Sequence, residues 1–217
     1  MTTTMTPLRT ATRSLPLAGN VLVVTARPGQ ESESLGGMVY AFRRAGASLN
    51  LLSLTRGEAS PLNVTQHARL EAVRPWELQL AAAVLGISSV TVAGFPDGGL
   101  DRYPVAELSG RIHDAIRWHS ADLLLVVDPE PGDFDSAAVA TAACAAARQA
   151  GIPVLARTVG ESPDTWTIDL GPDAETARAI QKSAAGAHES QSPALPGLVS
   201  RLDLLDDRET VRWLRTA

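Results

Sequence analysis

Carboxyl groups are concentrated between residues 128 and 136, in the segment DPEPGDFDS. The segment contains Asp128, Glu130, Asp133 and Asp135, and such side chains act as general acids and bases or as oxygen ligands for Mg²⁺ and Ca²⁺. It lacks the glycine-centred spacing of a calcium-binding loop, so it does not specify a metal. Asp133 and Asp135 are candidate acid/base groups.

A second polar segment follows the first long apolar run of the chain. It reads Arg27-Pro28-Gly29-Gln30-Glu31 and offers a cation, an amide and one carboxylate. The glycine patterns GxGxxG and GxxxxGK[ST] are absent, and Pro28 lacks a backbone N–H that could hold phosphate. The GxSxG motif of α/β serine hydrolases is absent as well. Neither a nucleotide site nor a serine nucleophile is indicated.

The elements that must position these segments follow an alternating pattern. Buried strands are predicted at Val21–Ala26, Ser48–Thr55, Val90–Phe95, Leu123–Asp128 and Val154–Thr158, because near-continuous apolarity is typical of a covered parallel sheet. Helices are predicted at 34–46, 64–85, 104–119 and 136–150. Beyond residue 158 we expect a strand at Thr165–Leu170, a helix at 173–187 and a short helix at Arg208–Arg215.

Strands and helices in this order predict an α/β fold, with a doubly wound, mostly parallel, Rossmann-like sheet sandwiched by helices. Ligands of such sheets bind at the carboxyl ends of the strands. The predicted site loops are therefore residues 27–31, 55–58, 96–100 and 128–136. Residues 1–18 are predicted to be a flexible tail, and residues 19–217 a single domain.

Composition narrows the classes of partner. The chain has 217 residues and a formal net charge of −5, which argues against binding to a nucleic-acid backbone. No apolar run reaches the length of about 20 residues that a membrane helix needs. The single Cys144 cannot form an internal disulfide, which is typical of a reducing compartment. We therefore expect a cytoplasmic protein with a small-molecule ligand, and homo-oligomerisation is left open.

Short motifs follow one another along residues 19–192. They are Ala26-x-Pro28-x-x-Glu31 with Leu35-Gly36-Gly37, Thr55-x-Gly57-Glu58, Arg74-x-x-Glu77-Leu78, Phe95-Pro96-Asp97-Gly98 and His188-x-Ser190-Gln191. In this order they resemble the motifs of one family, the PIG-L/LmbE-like zinc-dependent N-acetylglucosaminyl deacetylases. The resemblance implies an LmbE-like fold and an amide-hydrolysing ancestry. It also implies a ligand that is an amino sugar or a natural-product intermediate.

The resemblance also implies which positions would carry zinc chemistry, and this chain departs from the family there. Positions 27, 30 and 136 correspond to the three metal ligands, and position 29 to the general base. They are occupied by Arg27, Gln30, Ser136 and Gly29, none of which supplies the family's group. Asp133 occupies the position of a histidine that assists the oxyanion. The chain is therefore identified as a divergent member that lacks the zinc ligands, and no cofactor is expected.

Arg27 has a predicted role of its own. Its guanidinium stays protonated and would be repelled by a dication. We expect it to fill the vacated metal position and to pair with Asp135, with Asp133 as a second partner. The alternative is that Arg27 points into solvent.

At the rim of the predicted pocket, the residue types match those of the family that the motifs resemble, whereas at its centre they do not. Glu31, Arg74, Glu77 and Asp97 are candidate pocket residues, and His188 is a candidate acid/base or ligand contact. Each has a structural alternative: Glu31 can brace its loop, Arg74 and Glu77 can form an ion pair at i and i+3, and Asp97 suits a turn.

Three functions remain in competition. The favoured one is a deacetylase-fold protein that has lost hydrolysis and binds a small molecule or a partner. The second is an amide or ester hydrolase that uses Asp133, Asp135 or His188. The third is a metal-dependent deacetylase of N-acetyl amino sugars with an altered ligand set.

Overall fold

The computed structural model describes residues 11–59, 67–160 and 162–191, residue 202 and residues 205–215. The strands in these residues are β1 (Ala11–Thr12), β2 (Asn20–Thr25), β3 (Ser48–Thr55), β4 (Ser89–Phe95), β5 (Leu123–Val127), β6 (Val154–Arg157), β7 (Trp166–Asp169) and β8 (Arg208–Leu214). The α-helices are α1 (Gln30–Glu33), α2 (Gly36–Arg44), α3 (His67–Leu85), α4 (Val105–His119), α5 (Phe134–Ala150) and α6 (Ala174–Gly186).

The strands form one sheet in the order β1-β7-β8-β6-β5-β2-β3-β4. From β6 to β4 all neighbours are parallel, whereas β8 runs antiparallel to both β6 and β7. The order reverses at β2, where the chain first proceeds to β3 and β4 and later returns to β5 and β6. The predicted doubly wound, mostly parallel sheet is confirmed.

Helices cover both faces of the sheet. Val21 and Val23 of β2 lie in one apolar cluster, which includes side chains of α2, α3 and α6. Leu22 and Val24 lie in the other cluster, with side chains of α4 and α5. Because alternate residues of a strand point to opposite faces, burial of four consecutive residues requires a layer on each side. The continuous apolarity of the central strands thus reflects a three-layer sandwich.

The predicted helix at Arg208–Arg215 is wrong, because this segment forms β8. Its residues alternate with a period of two: Glu209 and Val211 are buried, and Arg208, Thr210 and Arg212 are more exposed. The alternation is obscured in the sequence because a glutamate occupies one of the buried positions. A charge is tolerated there because Arg157 and Arg178 both pair with Glu209.

Two further differences affect the amino-terminal part. The predicted helix 34–46 corresponds to α2, and it is preceded by a short helix, α1, that begins at Gln30, inside the predicted loop 27–31. Residues 1–10 of the predicted tail lie outside the described residues, and Ala11 and Thr12 pair with β7. No helix in the described part of the chain is long and apolar enough to cross a membrane.

Candidate functional site

A cavity of about 550 Å³ opens where β2, β4 and β5 end. Five of the predicted site residues line it, namely Arg27, Arg74, Asp97, Asp133 and Asp135. The remaining predicted residues are not part of the described lining; they are Gly29, Gln30, Glu31, Glu77, Ser136 and His188. The predicted site is therefore divided into a cavity wall and a set of side chains that support it.

The side chains at positions 30 and 136 are hydrogen bonded directly to each other. Gln30 Nε2 donates to Ser136 Oγ at 2.8 Å, and Gln30 Oε1 accepts from the backbone N–H of Ala26 at 2.8 Å. Ser136 Oγ in turn donates to Asp133 Oδ2 at 2.8 Å. Gln30 is 6% exposed and Ser136 2% exposed, so this chain of hydrogen bonds is shielded from water. It links the start of α1 to the start of α5.

Arg27 pairs with Asp133 rather than with Asp135. Its Nη1 lies 3.6 Å from Asp133 Oδ2, and the two side chains are 42% and 26% exposed. Asp133 is also the N-cap of α5, since its Oδ1 accepts from the backbone N–H of Ser136 at 3.0 Å. The expected cation–carboxylate contact is thus present with the partner that was expected to be secondary.

Asp135 is hydrogen bonded to the backbone of the loop that follows β4. Its Oδ2 accepts from the N–H of Gly98 at 2.8 Å, and its Oδ1 accepts from the N–H of Leu100 at 2.9 Å. The side chain is 7% exposed. Both oxygens therefore fix the loop after β4 against α5, which explains why Arg27 does not take Asp135 as its partner.

Glu31 and His188 form a buried pair. His188 Nε2 lies 2.7 Å from Glu31 Oε1, with side chains that are 1% and 0% exposed. Glu31 also accepts from Ser32 Oγ at 2.7 Å and from the N–H of Gly29 at 2.8 Å. Gly29 has a φ of 106°, a conformation that favours glycine. Glu31 therefore braces the turn into α1 and connects it to the segment after α6.

The electrostatics favour charge on both members of this pair. Burial alone would raise the pKa of Glu31, but the hydrogen bond and charge of His188 and the bond from Ser32 lower it. Burial would lower the pKa of His188, but Glu31, Glu33 and Glu77 raise it above its ordinary value. His188 is a buried partner of Glu31 and is not among the residues that line the cavity. This arrangement does not suit a general base.

Glu77 also supports the wall. Its Oε1 accepts from the N–H of Ser190 at 2.7 Å, and its Oε2 accepts from Ser190 Oγ at 2.6 Å. No ion pair between Arg74 and Glu77 is found among the described residues, so the alternative of an i, i+3 pair is not realised. The contact instead ties α3 to the His-x-Ser-Gln segment.

Arg74 is a buried guanidinium with incomplete hydrogen bonding. It is 1% exposed, and its Nη1 donates to the carbonyl oxygen of Gly57. Its Nε and Nη2 have no hydrogen-bond partner among the described residues. A Cβ at position 57 would lie 2.7 Å from Nη1, so only glycine permits this approach. Burial lowers the pKa of Arg74, although the charges of Asp97 and Glu77 oppose this.

Asp97 lies on the same wall and is well supplied with donors. Thr55 Oγ1 donates to its Oδ1 at 3.2 Å, and the N–H of Ala59 donates to its Oδ2 at 3.1 Å. Burial raises the pKa of Asp97, partly offset by the hydrogen bond from Ala59 and the charge of Arg27. Asp97 therefore shapes the loop as well as the cavity.

Phe134 and Arg102 are among the lining residues that the sequence did not single out as candidates, although position 134 lies in the predicted site loop 128–136. Phe134 is 67% exposed. A signal for Phe134 was available, because a large apolar side chain between two aspartates at the start of a helix is poorly placed for packing. Arg102 gave no comparable signal.

The residues present do not fit the zinc site that the resemblance implies. Arg27 cannot donate a lone pair, and the donor atoms of Gln30 and Ser136 are engaged with each other and with the protein. Within the described ranges, no group of three or more His, Cys, Asp or Glu side chains is arranged to hold a metal ion. No reaction step through zinc is derived from this arrangement.

Comparison with known proteins agrees with the fold and with the motifs. The family model of the GlcNAc-PI de-N-acetylases, PIG-L, matches residues 22–147, which is more than half of the chain. The chain therefore belongs to the PIG-L family. No curated protein is matched by the sequence.

Solved structures share the fold at low sequence identity. A deacetylase of the teicoplanin biosynthesis pathway is 17% identical, with a TM-score of 0.75 and coverage of 89% of this chain and 97% of its own. The N,N'-diacetylchitobiose deacetylase of Pyrococcus horikoshii is 14% identical, with a TM-score of 0.69 and coverages of 92% and 85%. GalB, the 4-carboxy-2-hydroxymuconate hydratase of Pseudomonas putida KT2440, is 17% identical, with a TM-score of 0.71 and coverages of 91% and 96%. The protein has an LmbE-like deacetylase fold.

Proposed function

We propose that this protein binds a small molecule in the cavity and has lost the zinc-dependent hydrolysis of its family. One observation carries the proposal: Gln30 Nε2 and Ser136 Oγ, at two positions implied to be metal ligands, are 2.8 Å apart and hydrogen bonded. A metal ion between them would require both side chains to give up buried hydrogen bonds. Neither an amide nor a hydroxyl is a strong enough zinc ligand to make that exchange favourable.

The charge at position 27 supports the same conclusion. Arg27 takes the place of the first implied ligand and lies 3.6 Å from Asp133. A dication held within about 4 Å of a guanidinium is repelled by several kcal/mol, even at an effective dielectric constant of about 20. The guanidinium of Arg27 thus supplies a positive charge beside Asp133 without a metal ion.

The ligand is proposed to belong to the family's range of amino sugars and natural-product intermediates, with Arg74 and Asp97 as contacts. The teicoplanin and chitobiose relatives are deacetylases, which supports this range. A hydratase with the same fold shows that the architecture accommodates chemistry other than deacetylation. The cavity volume of about 550 Å³ suits a molecule of this size.

The alternative function is an amide or ester hydrolase with an altered site. Its support is that the carboxylate of Asp133 lines the cavity and is 26% exposed. Asp135 and His188 are less suited, because their polar atoms already serve buried contacts. Hydrolysis of N-acetylated amines that is abolished by Asp133→Ala would establish this alternative.

The test of the proposal is metal content and turnover in the native protein, purified without chelator. We expect zinc far below one atom per chain and no release of acetate from N-acetylglucosamine when zinc is added. Near-stoichiometric zinc or turnover in the native protein would overturn the proposal.

Restoring the implied ligands provides the matched gain-of-function experiment. The triple variant Arg27→His, Gln30→Asp, Ser136→His should bind zinc, whereas Arg27→His alone should not. Adding Gly29→Asp supplies the implied base, at the cost of a non-glycine residue at a φ of 106°. Restored turnover in the quadruple variant would confine the loss to these four positions.

A further inference from the structure

The cavity wall contains hydrogen-bond donors that the protein itself does not use. Nε and Nη2 of Arg74 are buried and have no partner in the described part of the chain, although buried guanidinium groups are normally fully hydrogen bonded. Arg74 is also part of the cavity lining. Donors left without partners beside a cavity indicate that the missing acceptor is a ligand.

Nearby carboxylates do not supply that acceptor. The oxygens of Asp97 accept from Thr55 Oγ1 and from the N–H of Ala59. Those of Asp135 accept from two backbone N–H groups. Asp97 and Asp135 are thus held by other donors, and no ion pair to Arg74 is found among the described residues.

Two more guanidinium groups border the same space. Arg27 and Arg102 line the cavity together with Arg74. Arg27 is 42% exposed, and its ion pair within the described residues is a long contact of 3.6 Å with Asp133. A planar guanidinium with two free N–H directions matches a carboxylate or phosphate better than a neutral hydroxyl, because two parallel charge-assisted bonds can form.

We propose that the cavity binds a small ligand through an oxyanion, a carboxylate or a phosphate group, with Arg74 as its principal partner and Arg27 as a second cation. The inference rests on the proposed function, since it names the ligand class of the same cavity. The exposed ring of Phe134 on the same lining provides a surface for an apolar or aromatic body of the ligand.

The experiment follows the arginine Nε–H resonances of the full-length, ¹⁵N-labelled protein during titration with inorganic phosphate, phenyl phosphate, acetate and benzoate. N-acetylglucosamine serves as the neutral comparison. We expect a saturable shift of the Arg74 signal with at least one anion and none with the sugar. The Nε–H of Arg178, which already donates to the carbonyl oxygen of Asp206 at 3.0 Å, is the internal control and should not move. The two pairs of probes distinguish a phosphate from a carboxylate site.

Variants test the assignment by affinity. Arg74→Lys keeps the charge and loses the planar pair of donors, so we expect affinity for the bound anion to fall about tenfold or more. Arg27→Gln, at a partly exposed side chain that leaves the core intact, should weaken binding several-fold and reduce its dependence on salt. Arg117→Gln, on an exposed position of α4, should have no effect.

The inference is overturned if none of the four anions binds, if Arg74→Lys binds the anion as well as the native protein does, or if only the neutral sugar shifts the Arg74 signal. These outcomes leave the proposed function standing, because zinc content and acetate release are measured separately on the same preparation. Conversely, a zinc-loaded, hydrolytically active native protein would refute the proposed function whether or not anions bind.

Discussion

Two arginines of this protein are buried to a similar degree and are used in opposite ways. Arg178 on α6 is 8% exposed and donates from all three nitrogens: Nε to the carbonyl oxygen of Asp206, Nη1 to Gln181 and Glu209, and Nη2 to the carbonyl oxygen of Arg208. Arg74 on α3 is 1% exposed and, among the residues that the structure describes, donates from Nη1 alone. Arg178 stabilises the fold through a complete set of hydrogen bonds, whereas Nε and Nη2 of Arg74 have no partner among the described residues.

The surroundings of the two side chains fit this distinction. Arg178 shares Glu209 with Arg157, so β8 and α6 are joined through a paired and desolvated carboxylate. A Cβ at Gly37 would overlap both Glu209 and Arg178, so α2 packs directly on this cluster. Arg74 instead borders a cavity. A buried charge is tolerated where its hydrogen bonds are complete, and incomplete bonding beside a cavity is typical of a binding site.

The largest effect is expected when the fully bonded arginine is removed. Arg178→Met should lower the free energy of unfolding by about 3–5 kcal/mol, because Glu209 would lose one of its two cations inside the core. Urea denaturation followed by circular dichroism measures this. Arg208→Gln, next to Glu209 on β8, is the control, since the Arg208 side chain is exposed and its loss should change stability by about 0.5 kcal/mol or less. If Arg178→Met lowered the free energy of unfolding only slightly, complete hydrogen bonding of Arg178 would not be what stabilises this part of the fold.

The buried pair of Glu31 and His188 differs from both arginines, because the histidine can lose its proton within the range of pH at which stability is measured. Because the pKa of His188 is raised above its unfolded value of 6.5, its contribution is complete below that pH and is lost as pH rises through the folded pKa. Glu31, with a lowered pKa, contributes above its unfolded value of 4.5 and loses this as pH falls.

We therefore expect the free energy of unfolding to decrease with pH above about pH 6.5 and the decrease to disappear in His188→Gln. His119, whose pKa is lowered by burial, acts only below its unfolded value of 6.5 and does not contribute to this slope. Urea denaturation between about pH 6.5 and 7.5, below the range in which a cysteine thiol titrates, provides the measurement. A slope that persists in His188→Gln would show that the pair is not charged as described.

A smaller effect on stability is expected at Arg74. Arg74→Met removes a desolvated charge with two unpartnered nitrogens, so its cost should stay near 1 kcal/mol or become a gain. The same variant should lose the binding of phosphate or carboxylate probes. A stability loss equal to that of Arg178→Met would mean that the two arginines have the same role.

The smallest effect on stability is expected at Phe134, which is 67% exposed. Phe134→Ala should leave the free energy of unfolding within about 0.5 kcal/mol of the native value. It should weaken phenyl phosphate or benzoate more than inorganic phosphate or acetate, because only the aromatic probes contact the ring. Equal weakening of both kinds of probe would place the ring outside the ligand site.

The sequence was sufficient for the strands that are covered on both faces. β2, β3 and β5 are almost continuously apolar. The cavity lining contains residues of the predicted site loops 27–31, 96–100 and 128–136, but none of residues 55–58. β8 was missed because its strand periodicity depends on Glu209, whose burial requires Arg157 and Arg178 from elements far along the chain. Sequence periodicity cannot show that a charge is paired in the core.

Within the site, residue types were easier to predict than partners. Arg27 was expected to meet an aspartate and does so, but the choice between Asp133 and Asp135 depends on two backbone N–H groups of the loop after β4. The bond between Gln30 and Ser136 joins positions 106 residues apart and had no local signal. The unpartnered nitrogens of Arg74 are a property of three-dimensional packing alone.

The position of β8 has a consequence for how the sheet is assembled. β8 is the last of these strands along the chain, yet it separates β6 from β7, and β1 reaches the sheet only through β7. The five parallel strands β2 to β6 pair with one another without β8, whereas β7 and β1 join the sheet only through it. The segments Ala11–Thr12 and Trp166–Asp169 therefore depend on one strand for their place in the sheet.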